Sequence, residues 1–524
     1  MAVSHLDRLT STDASFLTQE NESSHMHIGA VLVFEGPPPA YDEFLEHVEA
    51  RLHLVPRYRQ KLVFPPLQRP LWVDDPRLNI EYHVRHSSLP EPGNDGQLAA
   101  LTARVFSQQL DRSKPLWEMY LVQGLEGNRF ALISKTHHAM VDGISGVDLA
   151  TVLFDANPVP AGLTPPVRPW EPKPEPSEAQ LVARSVEGLA KMPIHLGRRA
   201  LHAAQHPRRA LAEVTQATEG LGEIAWELMN PAPKVPLNSE IGPHRRYCWT
   251  HARLADFKLV KDAFGGTVND VVLAVVAGAL RDWVRGRGLR TQGLELRALV
   301  PVSLRSDEDR GMLGNRLAVF RAPLPVYAED PFERLRMVRE SMSKIKQSKQ
   351  VMGAEAIVAL NDFAPPTVLA QAARLNFSTR LFNLIVTNVP GPQFPLYVLG
   401  RELETVVPVA FLPAKHALAV AIFSYNGKMS FGLLGDFDAM EDIDVVQRGV
   451  ERSLRDLVEA AIARQPAKRR RASARSGRRT ATLDDEGGAG TADAGGANGD
   501  GARRAGADGA GGSVPSDSGE PPGP

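Results

Sequence analysis

Cysteine is almost missing from this sequence. One residue, Cys248, stands among 524, so an intrachain disulfide is impossible, and no Cys/His set has zinc-finger spacing. A disulfide-stapled secreted scaffold is excluded, and a reducing, cytoplasmic setting is the expectation. An excess of either charge is also lacking: 60 Lys and Arg face 61 Asp and Glu, a net of −1. That balance argues against nucleic acid as the main partner. Long apolar runs are absent as well. The longest uncharged stretch, Leu381 to Gly400, holds Pro390, Pro392, Pro395 and two Asn, whereas a spanning helix needs about 20 predominantly apolar residues. No segment is expected to cross a bilayer. The opening MAVSHLDRLTSTDASFL has no basic segment followed by an apolar one, so it does not read as a signal peptide.

What is present supports packed cores. At 43% hydrophobic residues, and at roughly 100–200 residues per domain, the chain has room for two or three domains. Three composition shifts divide it. Between Pro158 and Pro176, eight of nineteen residues are proline, which predicts an extended linker. Leu181 to Leu211 carries Leu181, Ser185, Val186 and Leu189 at helical spacing. Arg184, Lys191, Arg198, Arg199, Arg208 and Arg209 there face a single acid, Glu187, which predicts a basic, partly amphipathic helical region. After Ala463, Lys468 to Arg479 holds seven Lys/Arg in twelve residues, and Gly487 to Pro524 thirteen Gly in thirty-eight. That tail is expected to be disordered, because it buries too little apolar surface to offset ordering entropy.

Two α/β blocks remain. In the first, strands are expected at Ile28–Phe34, Leu116–Val122 and Phe130–Lys135, and helices at Tyr41–His53, Gln97–Leu110 and Gly143–Phe154. In the second, helices are expected at Leu254–Ala263, Val268–Val284 and Asp442–Ala463, and strands at Leu296–Leu304, Leu317–Leu324 and Leu384–Asn388. A hairpin of Ala417–Phe423 and Lys428–Leu434 should turn on Asn426-Gly427. The resulting division is 1–157, 158–235 (linker and basic helical region), 236–465 and 466–524 (tail).

The segment with chemical character is Thr136-His137-His138-Ala139-Met140-Val141-Asp142-Gly143. Two histidines end a strand, and an Asp and a Gly precede a helix. Neighbours on an extended strand point to opposite faces, so the two rings cannot both face one cavity or readily share a metal. One is then a reactive base and the other a packing or positioning residue. Asp142 could cap the helix, pair with a remote Arg or orient the loop, and Gly143 lets the backbone turn tightly. On spacing alone, a polar strand end with a simple cap fits equally well. A zinc site would need a third ligand from elsewhere. A serine hydrolase is disfavoured because Gly143-Ile144-Ser145-Gly146-Val147 lacks the final Gly of a nucleophile elbow. Cys248 has no local signature of an activated thiol.

His137 to Gly143 matches the HHxxxDG motif of the CoA-dependent acyltransferases, a superfamily that includes chloramphenicol acetyltransferase and peptide-synthetase condensation domains. Further segments narrow the likeness: Leu6–Leu17 with Asp13 and Phe16, Met26–Ala30, Pro115-Leu116-Trp117-Glu118, Thr267-Val268-Asn269-Asp270-Val271, Pro301–Arg305, Gly314-Asn315 and Asn388–Pro392. In this order, and as far as about Ala463, the chain resembles the bacterial wax ester synthase/acyl-CoA:diacylglycerol acyltransferase family.

The resemblance implies two chloramphenicol-acetyltransferase-like α/β sandwich domains with a tunnel between them, His138 as general base and Asp142 as a structural residue holding the loop. It implies acyl-CoA as a substrate with no bound cofactor, diacylglycerol or a long-chain alcohol as acceptor, and docking on the inner membrane face or on lipid droplets. Asn269 and Asp270 are then candidates for the tunnel wall, although Thr267 with Asp270 also reads as a capping box. Pro115, Trp117 and Glu118 read as substrate contacts or, more simply, as a strand start with a packed Trp. Two rival functions remain on the sequence: a transferase using a carrier-protein thioester, and a non-catalytic lipid-droplet coat protein.

Overall fold

The structure is a computed structural model, which describes residues 6–66, 68–140, 152–159, 170–183, 186, 205, 229–303, 317–347 and 377–481. Among the described residues of 1–465, two six-stranded sheets and one three-stranded sheet organise the chain. The first large sheet runs, in spatial order, Tyr397–Val398, Arg401–Val409, His27–Phe34, Arg129–His137, Trp117–Leu125 and Val84–Ser88. It is antiparallel except where Val84–Ser88 lies parallel to Trp117–Leu125. The second runs Leu317–Leu324, Leu296–Ser303, Leu384–Pro390, Leu418–Tyr425, Lys428–Asp436 and Arg245–Arg253, with Leu384–Pro390 parallel to both its neighbours.

One strand crosses between the two halves of the chain. Arg401–Val409 pairs with His27–Phe34, Val409 opposite Gly29 and Val406 opposite Leu32, so the first sheet is completed by residues from the other half of the chain. Residues of His27–Phe34 alternate between two cores, as a pleated strand covered on both faces must. Val31 and Val33 join a large cluster shared with Trp249, Val271 and Phe431, whereas Leu32 and Phe34 join a second with Phe44, Trp117 and Phe130. Gly29 is required here: a Cβ at that position would stand 1.8 Å from the Ser134 carbonyl oxygen.

The helix Val268–Gly286 runs through the larger core, buried almost throughout from Asp270 to Val284. Its amino end is a capping box, the Thr267 hydroxyl accepting from the Asp270 N–H at 3.2 Å and the Asp270 carboxylate accepting from the Thr267 N–H at 2.8 Å. No single described helix is long and apolar enough to cross a membrane.

Most of the expected elements are found within a few residues. The hairpin forms at Leu418–Tyr425 and Lys428–Asp436, with Asn426 (φ 43°) and Gly427 (φ 79°) both left-handed, the signature of the turn that matches strand twist. The helix expected at Gln97 starts at Asp95, capped by Asn94 with Gln97. Of the proline-rich linker, residues 170–177 are described, without regular structure; Arg59 lies over the Trp170 ring and Lys61 pairs with Glu175 at 2.9 Å.

Several features differ from the expectation, among them the unanticipated helix Ser11–Gln19 and strands Gln60–Val63, Leu71–Asp74 and Val84–Ser88. Strands Arg401–Val409 and Arg245–Arg253 were not anticipated, because Glu402, Glu404 and Pro408 in one and Arg245, Arg246, His251 and Arg253 in the other break the apolar alternation. The helix Pro331–Gln347 was also unanticipated; Asp330 caps it, its carboxylate accepting from the Glu333 N–H at 2.7 Å. The last helix runs Ile443–Ala481, past the end expected at Ala463. Lys, Arg and Ala are all strong helix formers, a propensity that a reading of this stretch by charge alone overlooks. The helix expected at Gly143–Phe154 falls largely outside the described residues, as does most of the basic region after Ala183 and the tail beyond Ala481.

Candidate active site

The strand Arg129–His137 is buried along nearly its whole length, and its last residue lies opposite His27. There the chain leaves the sheet. His138–Met140 forms a single 3-10 turn, fixed by the His138 N–H to the Met26 carbonyl at 2.8 Å and the His137 N–H to the Leu116 carbonyl at 2.9 Å. The two imidazoles have different neighbours.

The half-buried His138 ring stacks on Phe16 of the helix Ser11–Gln19, with centroids 4.0 Å apart and planes 22° apart, and meets the edge of Phe411 at 5.6 Å and 90°. Phe377 continues the cluster, 5.9 Å from Phe411. The ring therefore sits between aromatic side chains from both halves of the chain. Burial pushes its pKa down to about 4; the ring's own main-chain carbonyl opposes that shift, and the neighbouring His137 adds to it. Nδ1 is sealed from solvent with no hydrogen-bond partner among the described residues.

His137 has other partners. Its Nδ1 accepts the Ala139 N–H at 3.0 Å, and its Nε2 faces Glu20 at 3.5 Å. Glu20 is buried, 3.2 Å from His27 Nε2 and 3.0 Å from Arg112 Nε. Burial alone would raise its carboxyl pKa, but His137 and His27 outweigh that and hold it well below the usual carboxylate range. Lys135, fully buried on the same strand, donates to the carbonyls of Val105 and Gln108, and burial lowers its pKa to about 8.

Asp142 and Gly143 lie outside the described residues, as do Arg305 and Gly314-Asn315. Asn269 accepts at Oδ1 from Asn388 Nδ2 at 3.3 Å, and Asp270 caps its own helix, its Oδ1 buried without a hydrogen-bond partner among the described residues. Trp117 is a core residue: it donates from Nε1 to the Tyr58 carbonyl at 2.8 Å and stacks on His83 at 4.6 Å. Glu118 is buried, pairing with Arg85 at 2.9 Å and accepting from the Tyr120 hydroxyl at 2.9 Å. Pro115 begins the turn into that strand, its carbonyl accepting the Trp117 N–H at 2.9 Å. These are the contacts of a scaffold. Burial pushes the Cys248 thiol up to about 12, the opposite of an activated nucleophile. A pocket of about 420 Å³ between Glu35, Pro158 and Arg401 includes none of these residues.

Sequence reasoning missed Glu20, Arg112 and Phe411. Glu20 follows Phe16 by four residues, yet nothing in the sequence joins position 20 to position 137. Phe411 arrives through the strand that crosses between the halves.

Two large sheets, one of them completed by a crossing strand, with paired histidines at the end of a buried strand, define a chloramphenicol-acetyltransferase-like, condensation-domain type of fold. The first condensation domain of the calcium-dependent antibiotic synthetase matches it with a TM-score of 0.54 at 16% identity, over 87% of this chain and 97% of that one. Residues 9–272 match the wax ester synthase/diacylglycerol acyltransferase catalytic domain, and residues 313–458 the C-terminal domain of the same family. Two probable diacylglycerol O-acyltransferases of Mycobacterium tuberculosis are 32% identical over 481 residues (89% of this chain, 98% of the relative) and 33% identical over 474 (87% and 99%). The wax ester synthase/diacylglycerol acyltransferase from Marinobacter aquaeolei VT8 matches with a TM-score of 0.60 at 30% identity, over 87% of this chain and 100% of that one. The chain belongs to the wax ester synthase/diacylglycerol acyltransferase family.

Proposed function

We propose that this chain transfers a long-chain fatty acyl group from acyl-CoA to the free hydroxyl of diacylglycerol, forming triacylglycerol, with long-chain alcohols as a second class of acceptor. Family membership supports the reaction, and the geometry of His138 supports the mechanism. Nε2 of His138 takes the proton of the acceptor hydroxyl as that oxygen attacks the thioester carbonyl. The tetrahedral intermediate collapses, the C–S bond breaks, and the CoA thiolate takes the proton back from His138. No acyl-enzyme forms. A ring held near pKa 4 is unprotonated at neutral pH but is a weaker base than free imidazole, so proton transfer runs together with C–O bond formation rather than ahead of it. The leaving thiol has a reference pKa of about 8.5, which makes it a far better leaving group than an alkoxide.

The observation that carries this reading is the desolvated His138 ring between Phe16 and Phe411, its Nδ1 without a hydrogen-bond partner among the described residues. Purified protein given palmitoyl-CoA and dioleoylglycerol should release CoA thiol, and His138→Ala should lower kcat about 10²- to 10⁴-fold, the usual range for a general base. A fully active variant would refute the mechanism. Repeating the assay with hexadecanol ranks the two acceptors.

The acceptor is insoluble in water, so the enzyme works at the inner membrane face or a lipid-droplet surface, held peripherally. The six basic residues against one acid between Leu181 and Leu211 support this, since each Lys or Arg near an anionic surface adds about 1 kcal/mol. Protein should float with vesicles containing phosphatidylglycerol at low salt and sediment with purely zwitterionic ones; equal recovery with both would refute the electrostatic docking.

A further inference from the structure

We infer that Glu20 is a positioning residue: its buried carboxylate fixes the tautomer of His137 and, through the Ala139 main chain, the turn that carries His138. The proposal rests on the reading of His138 as the base.

Its links are short. The Ala139 N–H donates to His137 Nδ1 at 3.0 Å, so in the neutral ring Nδ1 is the acceptor and the proton sits on Nε2. That Nε2 makes no hydrogen bond among the described residues but lies 3.5 Å from Glu20 Oε2, and a carboxylate favours the tautomer that points a proton at it. Without the carboxylate, His137 is free to place its proton on Nδ1. That proton would oppose the Ala139 N–H and displace the turn immediately beyond His138. Glu20 is itself anchored by Arg112, whose Nε lies 3.0 Å from Oε2 and whose Nη2 donates to the Leu17 carbonyl at 2.9 Å.

Glu20 also ends the helix that carries Phe16, its N–H donating to the Phe16 carbonyl at 3.2 Å. One residue thus meets both the turn bearing the base, through its side chain, and the helix bearing the ring stacked on it, through its main chain. His27, 3.2 Å from Oε1, is the third neighbour of this carboxylate.

The test compares wild type, Glu20→Gln, His137→Asn and the double variant in the CoA-release assay. Glu20→Gln should lower kcat about 10- to 100-fold, the scale of a misplaced catalytic group, with KM for palmitoyl-CoA and dioleoylglycerol changed by less than about twofold. If Glu20 acts through His137, adding Glu20→Gln to His137→Asn should change kcat by less than about twofold, whereas independent effects multiply. Multiplied losses would overturn the proposal. Because a variant can fail to fold, the wild-type protein is also labelled with ¹⁵N-histidine: His137 must carry its proton on Nε2, and a proton on Nδ1 overturns the proposal without any substitution. The tautomer is measured apart from turnover. A protein that releases no CoA would therefore defeat the transferase reading, while the same labelling of Glu20→Gln shows whether Glu20 holds His137: a proton still on Nε2 there, as in wild type, would overturn the proposal.

Discussion

A ring stacked 4.0 Å from Phe16 and edged by Phe411 loses much of the water that would stabilise its protonated form, which is why His138 titrates near 4 and not near 6.5. Since kcat/KM reports the free enzyme's base, its acid limb should fall through about pH 4, with a plateau from about pH 5.5 to 7.5. Phe16→Ser, which admits water to the ring, should move that limb upward towards 6.5. An unchanged limb, followed by initial rates of CoA release, would show that the stack does not set the basicity. At this scale the sequence was informative about identity and silent about company. Adjacent histidines at a strand end were expected to point apart; they meet different side chains, Glu20 for His137 and Phe16 for His138. That Phe16 would cover one and Glu20 face the other depends on the placing of the helix Ser11–Gln19, which no local pattern encodes.

Elements with a local chemical cause were legible in the sequence. Asn426-Gly427 dictated its hairpin, and Thr267 with Asp270 its cap, because in each case the residues that make the structure are neighbours along the chain. The polar strands Arg401–Val409 and Arg245–Arg253 were not legible: their burial is set by what packs on them, the Tyr247 hydroxyl for instance donating to the Pro408 carbonyl at 2.9 Å. The cap offers a quantitative check. Thr267→Ala removes the hydroxyl that accepts the Asp270 N–H and should cost about 1 kcal/mol in urea unfolding. A midpoint identical to wild type would mean that the first turn of the buried helix is held by packing alone.

Over the whole molecule, burial holds His25, His27, His47, His83, His138, His251 and His416 below the usual imidazole value. Below about pH 6.5 the unfolded chain therefore binds more protons than the folded one, and stability declines as pH falls towards the folded values, about 4 for His138 and His416. The melting temperature should drop steadily from pH 7.5 to 5.5; a flat profile would contradict these burials. The crossing strand has a temporal consequence of a different kind. During synthesis, the free edge of His27–Phe34 stays unpaired until the ribosome has delivered Val409, tens of seconds after His137 at about 5–20 residues per second. An exposed β-edge is a template for wrong partners, so the nascent chain must be shielded over that interval, and its yield in a foreign host should track holdase supply more closely than the stability of the finished fold.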